Sequence, residues 1–318
     1  MNFQTLQKVE NPDFYINVAF KAATDRAGVA REKKSRHKID KSKFIEIEKV
    51  LIIESSLCKQ LNTVLKCFPS IDQLDPFYLE LIKTTIDYAK LKKSLGALNW
   101  CVKKVHDFSA LTLKKIRTSA EIDHVNAHRR SYYGRTASLV KQIKKELVFL
   151  DEARKIMKGY PSIKTGCTTV CIAGFPNVGK STLLSKITDA SPEIDDYAFT
   201  TKTLNLGYWK LPTKRIQFID TPGTLDRLDK MNVIEKQAYL AIKHVADILV
   251  YVFDLTEQAG DIKIQKKLFL NLRKFNKPII VYFSKADLLN KDAINNFSIK
   301  GFSDPEQLKE EILKSLKQ

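Results

Sequence analysis

The sequence predicts two domains of different class: an all-α N-terminal helical bundle over residues 1–160 and an α/β domain with a mostly parallel sheet over 161–318. Three observations carry this. Apolar residues recur at helical spacing through the first half. After Thr168, short runs rich in Val, Ile and Phe alternate with helical stretches. Between the two patterns, Gly159-Tyr160-Pro161 stops the last long helix.

In the first half, Phe44, Ile47, Val50, Leu51, Leu57, Leu61 and Leu65 predict a helix over 44–65, which Cys67-Phe68-Pro69-Ser70 ends because proline removes a donor and clashes in a helix interior. Asp75-Pro76 reads as an N-cap followed by proline at the first helical position, with Leu79, Ile82, Ile86 and Ala89 continuing that helix. Two further helices are expected over 95–117 and 120–157, the second interrupted at Gly134 by a kink or close packing. Long helices with short joints suggest an up-and-down bundle. In the second half, strands are expected at 169–173, 204–209, 216–219, 248–253 and 279–283.

A chain of 318 residues fits two domains. Its formal charge is +18, and it is unevenly spread: 31 basic and 18 acidic residues in 1–160, against 23 and 18 in the remainder. A positive field of that size favours a polyanion, either nucleic acid or an anionic membrane surface. The run Arg31-Glu32-Lys33-Lys34-Ser35-Arg36-His37-Lys38 reads as a clamp for a phosphate backbone, extended by Lys103-Lys104, Lys114-Lys115-Arg117, Arg129-Arg130-Arg135 and Lys144-Lys145 if they share a face. Five cysteines without a C-x-x-C pair predict a reducing compartment. No signal-peptide pattern opens the sequence, and the longest apolar run, 248–253, is too short to cross a bilayer, so a soluble intracellular protein is expected. His124 and His128 lie four apart but lack further metal ligands and read as a polar helix face.

The chemistry is concentrated after Thr168. Gly174-Phe175-Pro176-Asn177-Val178-Gly179-Lys180-Ser181 matches G-x-x-x-x-G-K-[ST], follows a strand and opens a helix that continues through Thr182. Backbone N–H groups of such a loop turn inward around phosphate oxygens, and the helix N-terminus adds partial positive charge. Lys180 supplies a full charge to the β- and γ-phosphates, and Ser181 a hydroxyl to magnesium. In Asp196-Tyr197-Ala198-Phe199-Thr200-Thr201, a threonine, Thr201 in preference to Thr200, can reach magnesium and the γ-phosphate. Asp220-Thr221-Pro222-Gly223 ends a strand: the carboxylate can hold a magnesium-bound water and the Gly223 N–H can meet the γ-phosphate. Ser284-Lys285-Ala286-Asp287 ends another strand. Asp287 can accept from guanine N1–H and the N2 amino group, a donor pair adenine lacks, and the Lys285 stem can lie along the base. The backbone at Phe297-Ser298-Ile299-Lys300 could touch guanine O6. Five boxes in this order at strand ends predict a P-loop GTPase domain of Ras-like type with GTP or GDP and Mg2+ as ligands. Lys180, Thr201 and Gly223 are its catalytic groups.

GFPNVGKS, DYAFTT, DTPG and SKAD resemble the Obg-like group of translation-factor-related GTPases. Within it the chain is most similar to the nucleolar GTP-binding (NOG) family, through LDPFYL at 74–79, Tyr133-Gly134-Arg135, NVIEKQA at 232–238 and His244-Val245-Ala246-Asp247. The resemblance covers nearly the whole chain. It implies a GTP-hydrolysing assembly factor of the large ribosomal subunit that binds ribosomal RNA and pre-ribosomes, with no membrane partner and a monomer when free. A GTP-gated RNA-binding scaffold with little hydrolysis, or an Obg- or DRG-like regulator of translation, is the alternative. The length resembles archaeal members and predicts a cytoplasmic protein; a truncated eukaryotic member would be nucleolar. Three departures stand out. Ser284 replaces the usual Asn or Thr of the guanine box, Ile299 replaces the usual alanine of the fifth, and Thr224-Leu225 offers no water-orienting glutamine. Unassisted turnover should therefore be slow, on the order of 10⁻⁴ to 10⁻² s⁻¹. Some related GTPases with asparagine at the Asn177 position use a potassium ion beside the phosphates, so the resemblance implies K+ as a further ligand.

Overall fold

The helices of the first half start and stop where local chemistry requires. The structure, a computed structural model, describes residues 3–31, 37–188, 204–222, 232–256, 258–289, 294 and 296–316. Helix α1 (Pro12–Arg31) opens with proline in its first position, and the Asn11 side chain accepts from Phe14 N–H at 2.8 Å. Tyr15, Ala19, Ala23 and Ala27 recur every four residues and are all buried, so small side chains let α1 lie close along α2 (Lys38–Cys67). Sequence periodicity missed α1 because its buried face is mostly alanine. In α2, Val50, Ile53, Leu57, Leu61 and Val64 form the buried stripe, and the helix ends at Phe68 before Pro69.

Two expected helices are divided differently. The helix opened by Asp75-Pro76, α3 (Pro76–Thr85), does not run through Ala89. The Asp87 side chain accepts from Lys90 N–H at 3.0 Å and starts α4 (Tyr88–Thr118), well before the expected residue 95. An aspartate offering its oxygen to a first-turn amide is worth about 1 kcal/mol to the new helix start. The expected helix over 120–157 is split into α5 (Ile122–Gln142) and α6 (Lys144–Lys158), and the break is at Ile143, not Gly134. Gly134 sits inside α5, and a Cβ added there would meet nothing within 4 Å. Neither a kink nor close packing accounts for it.

Chain contacts group these elements into two compact units. One comprises Asn2–Ile71 with Ile86–Lys158 and holds α1, α2, α4, α5 and α6. Its core is joined by buried or half-buried polar contacts: Arg129 and Lys49 both meet Glu46 Oε1, at 3.2 and 2.8 Å, and Ser109 donates to Glu54 at 2.5 Å.

The second unit comprises Asp72–Thr85 with Gly159–Gln318, so α3 belongs to it. It is built on a five-stranded sheet of β1 (Thr168–Gly174), β2 (Asn205–Lys210), β3 (Arg215–Asp220), β4 (Ile248–Asp254) and β5 (Ile279–Ser284). The order is β2-β3-β1-β4-β5, with β2 antiparallel to β3 and every other pair parallel. Helices α7 (Lys180–Ile187), α8 (Val233–His244), α9 (Ile262–Leu272) and α10 (Pro305–Ser315) complete it. β4 is buried at every position, as expected for a central parallel strand. Val170, Ile172, Phe218, Val250 and Val252 pack with Leu183, Leu184 and Ile187 of α7 and with Leu308 and Ile312 of α10. Tyr251, Phe253, Phe269 and Phe283 form an aromatic cluster with centroid spacings of 4.6 to 6.4 Å. No helix among the described residues is long and apolar enough to cross a membrane.

Helix α3 is held by Tyr78, which is fully buried and donates its hydroxyl to both Pro161 O at 2.9 Å and Ile163 O at 3.0 Å. Replacing Tyr78 by Phe removes the donor while keeping the ring. It should destabilise the unit by about 1–3 kcal/mol, read as a lowered midpoint of its urea or thermal unfolding transition. An unchanged midpoint would show that this hydroxyl does not anchor α3.

Candidate functional site

The parallel strands deliver their C-terminal ends to one edge of the sheet, and the expected phosphate loop lies there between β1 and α7. Gly174 is required by space: a Cβ would stand 2.6 Å from Val252 O of β4. Gly179 caps α7 in the left-handed region with φ of 94°, and Asn177 is also left-handed at 63°, a region glycine and asparagine tolerate best. Val178 and Leu183 are buried in the core, which fixes the loop from below.

Lys180, Ser181 and Asp220 are brought together. Lys180 is 8% exposed and its Nζ donates to Phe175 O of its own loop at 2.9 Å. Burial lowers its pKa from the ordinary lysine value, with the Asp220 charge working in the opposite direction. Ser181 Oγ donates to Asp220 Oδ2 at 2.5 Å, and Asn205 Nδ2 reaches the same oxygen at 3.3 Å. Asp220 Oδ1 is buried and has no hydrogen-bond partner among the described residues. Thr221 is turned away, its N–H and hydroxyl both donating to Ile172 O at 3.0 and 2.9 Å. Pro176, Asn177, Lys180, Ser181, Asp220 and Pro222 line one face of a cavity of about 550 Å³. Asn232, Ile234 and Glu235 at the start of α8 also line it. A buried ammonium, a hydroxyl and an unpartnered carboxylate oxygen around one cavity suit a polyanion that carries a divalent cation.

Ser284, Lys285 and Asp287 are grouped beside this loop. A Cβ on Gly179 would lie 3.6 Å from Ser284 Cβ, so a small side chain at 284 fits against the phosphate loop. Ser284 Oγ donates to Phe253 O at 3.1 Å. Lys285 is left-handed at φ 51° and starts a short 3-10 turn over Ala286–Leu288. Asp287 is exposed. Ser298 is placed nearby, with its Oγ accepting from Lys266 Nζ at 3.2 Å. Phe297 packs edge-on against Phe253 and Phe283, which anchors the turn before half-buried Ile299 and exposed Lys300. Thr201 and Gly223, with Thr200, Thr224 and Leu225, lie outside the described residues, as do residues 32–36 of the basic run.

Several residues at the site escaped the sequence reading. Asp254 ends β4 as Asp220 ends β3, a positional signal that was available. Asn232 and Glu235 form a capping box: Asn232 Oδ1 accepts from Glu235 N–H at 2.9 Å and Glu235 Oε2 from Asn232 N–H at 2.9 Å. Asn205 carries no pattern by which it could have been singled out. Among the described residues no group of three or more His, Cys, Asp or Glu forms a metal cluster, and His124 instead lies 4.0 Å from Glu121.

Comparison with known proteins agrees with this geometry. Residues 3–164 match the model of the NOG1 N-terminal helical domain, and residues 169–285 that of the 50S ribosome-binding GTPase. The chain belongs to the NOG1 family. An uncharacterized protein of Methanocaldococcus jannaschii, MJ1408, is 35% identical over 92% of this chain and 83% of its own length. Nucleolar GTP-binding protein 1 of Kluyveromyces lactis is 34% identical over 78% of this chain but only 39% of its own length, so the chain spans about two fifths of that relative. Era of Aquifex aeolicus, solved with GDP and aluminium fluoride, aligns over 46% of this chain and 56% of its own at 26% identity, with a TM-score of 0.37. Because its residues 169–285 match that GTPase model, the second unit of this NOG1-family chain is a GTPase domain.

The buried Lys180 makes a titration test. Phosphate oxygens favour its charged form, so when pH rises through its lowered free-state pKa, nucleotide binding must take up a proton and weakens. GDP affinity should fall as pH rises through that lowered pKa, with proton uptake seen by calorimetry in buffers of different ionisation enthalpy. Lys180→Met should weaken binding and reduce that proton uptake.

Proposed function

We propose that this protein is a GTP-hydrolysing assembly factor of the large ribosomal subunit, which engages ribosomal RNA through its basic helical unit and cycles between GTP and GDP states. The observation that carries it is the coupling, in one chain, of a NOG1 helical domain to a GTPase domain of the ribosome-binding type. The charge distribution supports an RNA partner. Lys103, Lys114, Lys115, Arg130, Arg135 and Lys144 are exposed and make no ion pair among the described residues. Lys115, His128 and Arg135 line one cleft between α4 and α5. Not every expected cation is available: Arg129 is spent on Glu46 and Lys104 faces Asp107 at 3.4 Å.

In the hydrolytic site, the loop amides of 174–181 and the Lys180 ammonium neutralise the phosphates, and positioning with charge neutralisation is what phosphoryl transfer requires. Ser181 and Asp220 would hold Mg2+, which polarises phosphate oxygens when bound. Thr201 and Gly223 would meet the γ-phosphate. Asp287 accepts from guanine N1–H and N2, and Lys285 covers the base. The protein works in the cytoplasm as a monomer until it joins the pre-ribosome.

Sedimentation with ribosomal subunits and their precursors tests the assembly role. Co-sedimentation with large-subunit particles is expected with a GTP analogue, with release in GDP and a steep loss with salt; absence from these particles in both states would remove the proposal. Asp287→Ala should lower GDP affinity at least about a hundredfold, as loss of two charge-assisted bonds requires, and leave weak ADP binding unchanged in calorimetry. For Asn177, hydrolysis should run faster in potassium than in sodium at matched ionic strength, and equal rates would dismiss the K+ site.

A further inference from the structure

Asp254 is a buried charge of the GTPase domain with both carboxylate oxygens engaged. It is fully buried at the end of β4, opposite Ser284 in the parallel register. Its Oδ2 accepts from Lys285 Nζ at 2.6 Å, and its Oδ1 accepts from Thr256 N–H at 2.9 Å and Thr256 Oγ1 at 2.5 Å. Its backbone is clasped by the buried amide of Gln265: Asp254 N–H donates to Gln265 Oε1 at 3.0 Å, and Gln265 Nε2 donates to Asp254 O at 2.9 Å. Gln258 Oε1 approaches the same ammonium at 3.4 Å. The lysine so held is the one two residues before Asp287. Asp287 is exposed, and its side chain makes no ion pair or hydrogen bond among the described residues.

We propose that Asp254 is a positioning residue for guanine selection, holding the Lys285 ammonium away from Asp287 so that the Asp287 carboxylate is left for the base. This rests on the assignment of Asp287 to guanine. The physical reason is competition. A lysine without a buried anchor pairs with the nearest exposed carboxylate, and each carboxylate oxygen engaged by an ammonium is lost to the N1–H and N2 donors.

The test is a double-mutant cycle read by competition binding of GDP and ADP to the full chain with magnesium. Asp254→Asn should lower GDP affinity about fivefold, the scale of one exposed Lys–Asp pair, leave ADP affinity unchanged, and recover much of the loss at about 1 M salt, where such a pair is screened. In a Lys285→Met background, which weakens GDP binding by itself, Asp254→Asn should add no further loss. Thr256→Ala, which removes the hydroxyl donor on Asp254 Oδ1 while the backbone N–H of residue 256 stays and the buried charge is spared, loosens the seat of the carboxylate, should shift GDP affinity in the same salt-sensitive direction by less, and keeps the test open if Asp254→Asn does not fold. Additive losses in the cycle, equal losses for GDP and ADP, or a loss indifferent to salt would overturn the role of Asp254. Equal affinity of the unsubstituted protein for GDP and ADP would overturn the base assignment itself, and the proposal with it.

Discussion

The parallel pairing of β1 with β3 and β4, and of β4 with β5, fixes the described part of the site. Ile172 stands opposite Asp220, Gly174 opposite Val252, and Asp254 opposite Ser284. A slip of one residue in any of these pairs would turn the strand's side chains to the other face and carry a functional residue with it. The register is pinned by burial on both faces: Val170, Ile172, Phe218, Val250 and Val252 fill one, and Cys171, Ala173, Ile219, Leu249 and Tyr251 are buried on the other, so no exposed face is left on which to slide. Phosphate loop, Asp220 and the Ser284 turn therefore meet at one sheet edge as a consequence of apolar packing well below them.

The same edge concentrates charge at a cost. Lys180 and Asp220 are both nearly buried, and one oxygen of Asp220 lacks a donor among the described residues. An uncompensated buried carboxylate oxygen is expensive, and the domain carries it in a cavity large enough for phosphates. Asp254 and Lys285 show the opposite arrangement, a pair in which all carboxylate oxygens are engaged. The first pair leaves one oxygen open to the cavity, and the second is complemented by the protein itself.

Much of this was legible in the sequence, for identifiable reasons. The five strands and the boxes at their ends follow from apolar runs of strand length closed by Gly, Asp or Ser, and the phosphate loop from spacing alone. What was not legible depended on short-range competition. Asp87 redirects a helix start by accepting one amide hydrogen, and Ile143 breaks a helix with no proline or glycine to mark it. Helix α1 hides its buried face in alanines. Asp254 looks like any strand-end aspartate until its partner, 31 residues later, is known.

Helix α3 shows how weighing interactions assigns an element to a unit. Its Glu80 pairs with Lys243 at 2.8 Å and with His244, but these side chains are 20% to 41% exposed, and ion pairs of that kind contribute roughly 0–1 kcal/mol. Tyr78 is fully buried, with its hydroxyl shared between two carbonyls of the segment leading to β1, and burying an aromatic ring contributes about 1.5–3 kcal/mol before the hydrogen bonds are counted. Tyr78 therefore holds α3 in the GTPase unit, and the Glu80 clasp sets where it meets α8. Since α8 begins with the capping box that lines the cavity of the phosphate loop and ends at Lys243 and His244, α3 is seated on the helix whose start lines that cavity.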